Sequence, residues 1–115
     1  MYFPLDKRRH NRLSCCIPCL IFLTTSNKTE TGWGIIYDLS LGGARLHTRL
    51  NIDGTNEIFL SFQIYNNFQF EKVKCRIVRY TYQGIYRTLH LNFVNLFSPH
   101  HLANALTSLL HNCLD

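Results

Sequence analysis

The sequence predicts an all-β domain, a six-stranded antiparallel β-barrel followed by one C-terminal α-helix. Three observations carry this prediction. Apolar and polar residues alternate with a period of two through residues 58 to 64, 73 to 77 and 88 to 93, the spacing of half-buried strands. Tyr and Phe are frequent, at 6 and 8, while Met and Trp occur once each, a bias towards pleated structure. Short connections rich in Asn, Asp and Gly separate the apolar runs, and helical spacing begins only near the C-terminus.

Each element follows from its residues. Residues 13 to 23 read as a strand apolar on both faces, in which Pro18, lacking an N–H, calls for an edge position or a bulge. TTSNKTET, 24 to 31, reads as a polar connection, and GWGIIYD, 32 to 38, as the second strand. The loop DLSLGG separates it from a third, 44 to 50, and Asp53-Gly54 marks a tight turn. A fourth strand covers 58 to 64 and a long fifth 68 to 80, where Val73, Cys75 and Ile77 alternate with Lys72, Lys74 and Arg76. Tyr82-Gln83-Gly84 turns the chain into a sixth strand in which Leu89, Leu91 and Phe93 form the apolar set. Ser98-Pro99 is a helix-start pair, an N-cap with Pro at the first helical position. Leu102, Ala105, Leu106, Leu109, Leu110 and Cys113 then lie on one helical stripe, suited to packing on the barrel. The organisation expected is a basic N-terminal arm over 1 to 12, a barrel over 13 to 97 and a helix over 98 to 115.

At 115 residues, 46% hydrophobic and 17% charged, the chain is the size and composition of one globular domain with its own core. No apolar run reaches the 18 residues of a spanning helix, so no membrane span is expected. KRRHNR followed by an apolar run imitates a secretory signal. However, Tyr2, Phe3 and Leu5 precede the charges, Ser14 and Pro18 interrupt the run, and no small-residue cleavage site follows. The five cysteines include a Cys16-x-x-Cys19 pair with no second pair to complete a tetrahedral zinc site. Extended geometry also sends these two to opposite faces. Buried reduced thiols in a cytoplasmic protein are therefore the expectation, with no metal and no cofactor.

The net charge of +5 is concentrated at Lys7, Arg8, Arg9 and Arg12. Arg8 and Arg12, four apart, share a face whether the segment is helical or extended, and two guanidiniums so placed can clasp an anion or a guanine edge. Asp38 and Ser40, two apart, point the same way from an extended segment. The carboxylate can accept from a guanine N1–H and N2–H₂ edge, and the hydroxyl can donate or accept beside it. Gly43 permits a positive φ or a close approach of backbone to ligand. Each motif alone has a plainer reading: a solvated basic run, and a turn whose side chains satisfy their own backbone.

Together, Arg8-x-x-x-Arg12 and Asp38-x-Ser40-x-x-Gly43, about 25 residues apart and followed by a β-rich stretch, resemble the PilZ domain family over roughly residues 6 to 95. The resemblance implies a six-stranded PilZ-type barrel that binds cyclic di-GMP, a bacterial second messenger. By the same resemblance Arg8, Arg9 and Arg12 would hold phosphate and guanine, and Asp38, Ser40, Gly42 and Gly43 would meet the guanine side. Lys7 and His90 are accessory candidates. Lys7 sits where the family's ligand stoichiometry is influenced. Leu89-His90-Leu91-Asn92-Phe93 departs from the family's apolar-Gly-Val-x-Phe, so that His90 either reshapes the pocket mouth or faces solvent.

The function expected is a cyclic di-GMP receptor, not an enzyme, of the kind that acts in motility, biofilm or exopolysaccharide control. The basic arm, mobile without ligand, would fold over the barrel on binding and create a surface for a separate, unidentified effector protein. The alternatives are a protein-interaction adaptor that ignores nucleotide, using the terminal helix and Tyr65, Tyr80 and Tyr82, and a nucleic-acid-binding barrel. The basic residues form no long groove-like stripe, and the acidic Asp38 would repel phosphates, which argues against the last. Catalysis lacks support, since Ser40 has no motif-level His partner. A monomer or weak dimer is the expected state.

Overall fold

In the computed structural model of the chain, residues 12–25, 28–95 and 99–114 are described. They form β1 (Leu13–Thr25), β2 (Lys28–Leu39), β3 (Gly43–Thr48), β4 (Glu57–Ile64), β5 (Phe68–Gln83), β6 (Tyr86–Asn95) and α1 (Pro99–Leu114). Every neighbouring pair is antiparallel, and the sheet closes in the order β1-β2-β3-β6-β5-β4. Closure consumes the strand edges that would otherwise invite pairing with other chains.

Period-two alternation builds the interior. Ile17, Cys19, Ile21 and Leu23 of β1 meet Ile58, Leu60, Phe62 and Ile64 of β4, with Leu46, Leu89 and Leu91 opposite, all buried. Leu102, Ala105 and Leu109 of α1 join the same cluster, the helix lying against β1 and β5, and His101 packs against the Phe68 and Phe70 rings. The predicted helical stripe is thus a packing face over Leu102, Ala105, Leu106 and Leu109, while the side chain of Cys113 lies outside the described residues.

Three boundaries differ from the sequence expectation. The polar segment 24 to 31 is not a connection: β1 runs to Thr25 and β2 resumes at Lys28, with Leu23 opposite Glu30 and Thr24 opposite Thr29. Its polarity reflects solvent on the ribbon, where residues 28 to 31 are exposed, and threonine suits a strand. β3 stops at Thr48, whose hydroxyl donates to the Trp33 carbonyl at 2.8 Å and accepts the Leu50 N–H at 3.1 Å, bending the chain two residues earlier than expected. β5 continues through Gln83, and the turn falls at Gly84-Ile85 with Gly84 at φ 65°. Pro18 lies immediately before the stretch of β1, Cys19 to Phe22, that β4 reaches, and the ladder with β2 is bulged between Ser14 and Ile17.

Cys19 and Cys75 are buried, and burial pushes each thiol up to about 12. Cys15 is half-buried and Cys16 exposed, so the expectation of uniformly buried thiols holds for only part of the set. Cys16 and Cys19 do face opposite sides of the wall.

Candidate functional site

Two β-bulges assemble the site on the outer wall of the barrel. Ile36 faces the core, so strict alternation would turn Asp38 inward as well. An extra residue, Tyr37, intervenes between the Ile36–Leu46 and Asp38–Arg45 pairs and sends Asp38 outward. The same device acts on β5, where Val78 intervenes between the Ile77–Leu91 and Arg79–His90 pairs and sends Arg79 outward. Because Arg45 also pairs with His90, the result is one cross-strand row, Asp38–Arg45–His90–Arg79, spanning β2, β3, β6 and β5. Directly paired residues share a face, with Cβ atoms about 5 Å apart.

The row floors a cleft of about 560 Å³, whose lining adds Arg12, Ser40, Gly42, Gly43, Val78 and Asn92. That volume lies in the range of small-ligand sites. Asp38 Oδ2 stands 3.7 Å from both Arg12 Nη1 and Arg45 Nε, an ion-pair distance longer than a hydrogen bond. Accordingly, Arg12 Nη1, Arg45 Nε and Asp38 Oδ1 are buried atoms with no hydrogen-bond partner among the described residues. A carboxylate oxygen and two guanidinium nitrogens withdrawn from water and left unsatisfied cost stability, and such groups call for a functional explanation.

The DLSLGG loop divides its labour. Ser40 is buried, and its hydroxyl accepts the N–H groups of Gly42 and Gly43, each at 3.2 Å. The Ser40 N–H in turn donates to the Gly43 carbonyl at 2.9 Å, so Ser40 holds its own loop in shape. The Gly42 carbonyl accepts the Phe93 N–H at 2.9 Å, pinning the loop to β6. Gly43 does not adopt a positive φ. A Cβ there would stand 1.9 Å from the Leu91 carbonyl oxygen, so glycine is required for β3 to lie against β6. Asp38 alone in this motif presents an unsatisfied polar atom to the cleft.

His90 is half-buried in the cleft wall, with Nδ1 3.5 Å from Arg79 Nη2. Since a guanidinium can only donate, Nδ1 is the acceptor, which assigns the proton of the neutral ring to Nε2. Burial lowers the pKa of His90, the nearby Arg79 and Arg12 lower it further, and Asp38 partly offsets them. One row along, His47 Nδ1 lies 3.0 Å from the Thr88 hydroxyl and stacks on Tyr37.

The structure therefore gathers Arg12, Asp38, Ser40, Gly42, Gly43 and His90 at one cleft. Lys7, Arg8 and Arg9 lie outside the described residues. Arg45 and Arg79 were missed by sequence reasoning. Arg45 was within reach of it, because alternation from Gly43 puts residues 43, 45 and 47 on one face, whereas the bulge at Val78 conceals the facing of Arg79. Among the described residues no three His, Cys, Asp or Glu side chains converge as a metal site would require. No helix among them is long and apolar enough to cross a membrane.

A closed six-stranded antiparallel barrel with a cationic cleft on its wall, lined in part by an Asp-x-Ser-x-x-Gly loop and by Arg12, defines the class of β-barrel to which the chain belongs. The sequence matches the PilZ domain model over residues 6–110, and the chain belongs to that family. Its structure is similar to that of YcgR from Escherichia coli in complex with c-di-GMP, with a TM-score of 0.69 and 19% identity over 94% of this chain and 48% of that one. The PilZ domain of YcgR from Escherichia coli with c-di-GMP gives a TM-score of 0.66 and 16% identity, covering 94% of this chain and 95% of the other. The inhibitor of motility MotI/DgrA from Bacillus subtilis gives 0.62 and 13%, covering 93% and 53%. The chain thus spans about half the length of the first and third of these proteins, and the likeness at such identities is one of fold. No curated protein matches the sequence.

Proposed function

We propose that this protein is a cytoplasmic cyclic di-GMP receptor, a binding protein and not an enzyme, that presents its ligand-bound surface to an effector protein. The observation that carries the reading is Asp38, whose Oδ1 is buried and without a hydrogen-bond partner among the described residues, beside Arg12 Nη1 and Arg45 Nε, equally unsatisfied, in a cleft of ligand size. In this reading the Asp38 carboxylate accepts from the N1–H and N2–H₂ edge of guanine, a pairing in which both partners are complementary in number and direction. Arg12, Arg45 and Arg79 supply charge to the phosphodiesters, and exposed Val78 offers an apolar surface to a base. Arg8 and Arg9, from the segment that leads into Arg12, complete the clasp, and their closure over the ligand forms the surface the effector reads. Membership of the PilZ family and the likeness to the YcgR structures, which hold c-di-GMP, support the same ligand.

Isothermal titration with cyclic di-GMP tests the reading. Saturable binding that Asp38→Ala and Arg12→Ala each weaken by tenfold or more is the expected result. An absence of heat up to about 1 mM, a free energy of only about −4 kcal/mol, would reject it and leave a nucleotide-independent adaptor.

A further inference from the structure

We propose that ligand binding in this cleft takes up a proton at His90, so that the site responds jointly to its anionic ligand and to acidity. The inference rests on the reading of the cleft as a site for a nucleotide that carries two negative charges.

The geometry supplies the coupling. His90 stands in the middle of the cross-strand row, between Arg45 on β3 and Arg79 on β5, and Arg12 and Asp38 face it across the cleft. Three cations and one carboxylate therefore surround one imidazole. In the free site a charge on His90 would be a fourth positive charge in a half-buried cleft. The neutral ring avoids that repulsion and accepts from Arg79 through Nδ1. A dianion brought among these groups reverses the local field. Its phosphate oxygens draw the Arg79 guanidinium to themselves, Nδ1 loses its donor, and a protonated imidazole gains a partner of opposite sign. Both changes favour the same proton on the same nitrogen.

The direction of the shift agrees. The free His90 titrates below its ordinary value because of burial first, then Arg79 and Arg12. Binding adds charge of the opposite sign and moves the titration upward. Protons taken up on binding make affinity rise as pH falls, beginning near the pKa of the bound state and complete below that of the free state. The slope cannot exceed tenfold per pH unit for one proton. Arginine does not titrate in this range and phosphodiesters remain ionised throughout it, and histidine is the side chain whose ordinary pKa falls within it. Among the described residues His90 is the histidine that lines the cleft, while His47 is held by Thr88 and Tyr37 one row away.

Titration calorimetry with cyclic di-GMP at pH 8.0 and pH 5.5 measures the coupling. The wild-type chain is expected to bind about three- to tenfold more tightly at the lower pH. Its apparent enthalpy should vary with the ionisation enthalpy of the buffer, the mark of a proton taken up. His90→Gln, which keeps a donor and an acceptor but cannot charge, is expected to show one affinity at both values. His47→Gln should keep the wild-type ratio. A wild-type affinity independent of pH overturns the proposal, as does a ratio that survives in His90→Gln. Should cyclic di-GMP fail to bind at either pH, the receptor reading falls, and imidazole NMR of the wild-type protein with sodium sulfate decides the His90 proposal on its own. An upward shift of the His90 midpoint with sulfate supports it, and an unchanged midpoint overturns it.

Discussion

The inner and outer faces of the same four strands make opposite use of adjacent residues. On β3, Leu46 is fully buried, while Arg45, one residue earlier, lies in the cleft. On β6, Leu89 and Leu91 are buried, and His90 between them looks outward. The inner set is satisfied by contact with other apolar groups and has no remaining valence. The outer set includes a carboxylate oxygen and guanidinium nitrogens without hydrogen-bond partners among the described residues. A half-turn of one strand residue thus separates groups that hold the barrel from groups that stability alone does not explain. The lesson is that cost to folding and cost to binding should separate by face.

Gly43 is the strongest challenge to that separation, because it lines the cleft and also sets the spacing of β3 and β6. Gly43→Ala is expected to lose more than about 4 kcal/mol or to fail to fold, since its Cβ would overlap the Leu91 carbonyl. Chemical denaturation checks this, and a variant of wild-type stability would mean that β3 and β6 can part without loss. Leu46→Ala comes next, at about 2–5 kcal/mol for a cavity in the closed interior. Its affinity for cyclic di-GMP should remain at the wild-type value when the variant is assayed folded.

Ser40→Ala is intermediate, a loss of about 1–2 kcal/mol for two backbone N–H groups left without an acceptor. Binding should weaken with it only through the shape of the loop, so a Ser40→Ala variant that keeps stability and loses affinity would make the hydroxyl a ligand contact instead. Arg45→Ala should change stability by less than about 1 kcal/mol, because its ion pair with Asp38 is long and partly exposed. Its affinity for cyclic di-GMP should nonetheless fall tenfold or more, which titration would detect.

The smallest effect is the pH dependence of folding. His90 in the folded chain titrates below its unfolded value, so the unfolded state binds more protons between the two. Stability is therefore expected to decline as pH falls through about 6.5, the unfolded pKa, and to stop declining on this account below the folded pKa. His90→Gln should decline less over that interval in melts of the ligand-free protein, and an identical decline would show that His90 is not strained against its neighbours.

Strand number, closure and the position of the terminal helix were legible because they depend on periodicity and on the company of apolar residues. Leu89, Leu91, Ile58 and Leu60 alternate in the chain and are buried in the barrel. Arg12, Asp38 and His90 were marked as site residues by their chemistry and by resemblance, and they do meet. Segment 24 to 31 was misread because exposed strand and loop share a composition, and only pairing across the ribbon distinguishes them. Ser40 and Gly43 line the cleft as expected, and they also make structural contacts, with the Gly42 N–H and the β6 backbone, which no local pattern discloses.

By itself, then, the sequence determined which residues could line a barrel and which carried charge, since both are properties of single side chains and their spacing. Tertiary structure alone decided which charges meet. Asp38 and Arg79 reach the outer wall because one inserted residue in each strand, Tyr37 and Val78, reverses the alternation. A bulge is a mismatch between two strands, so it exists only once the strands are paired.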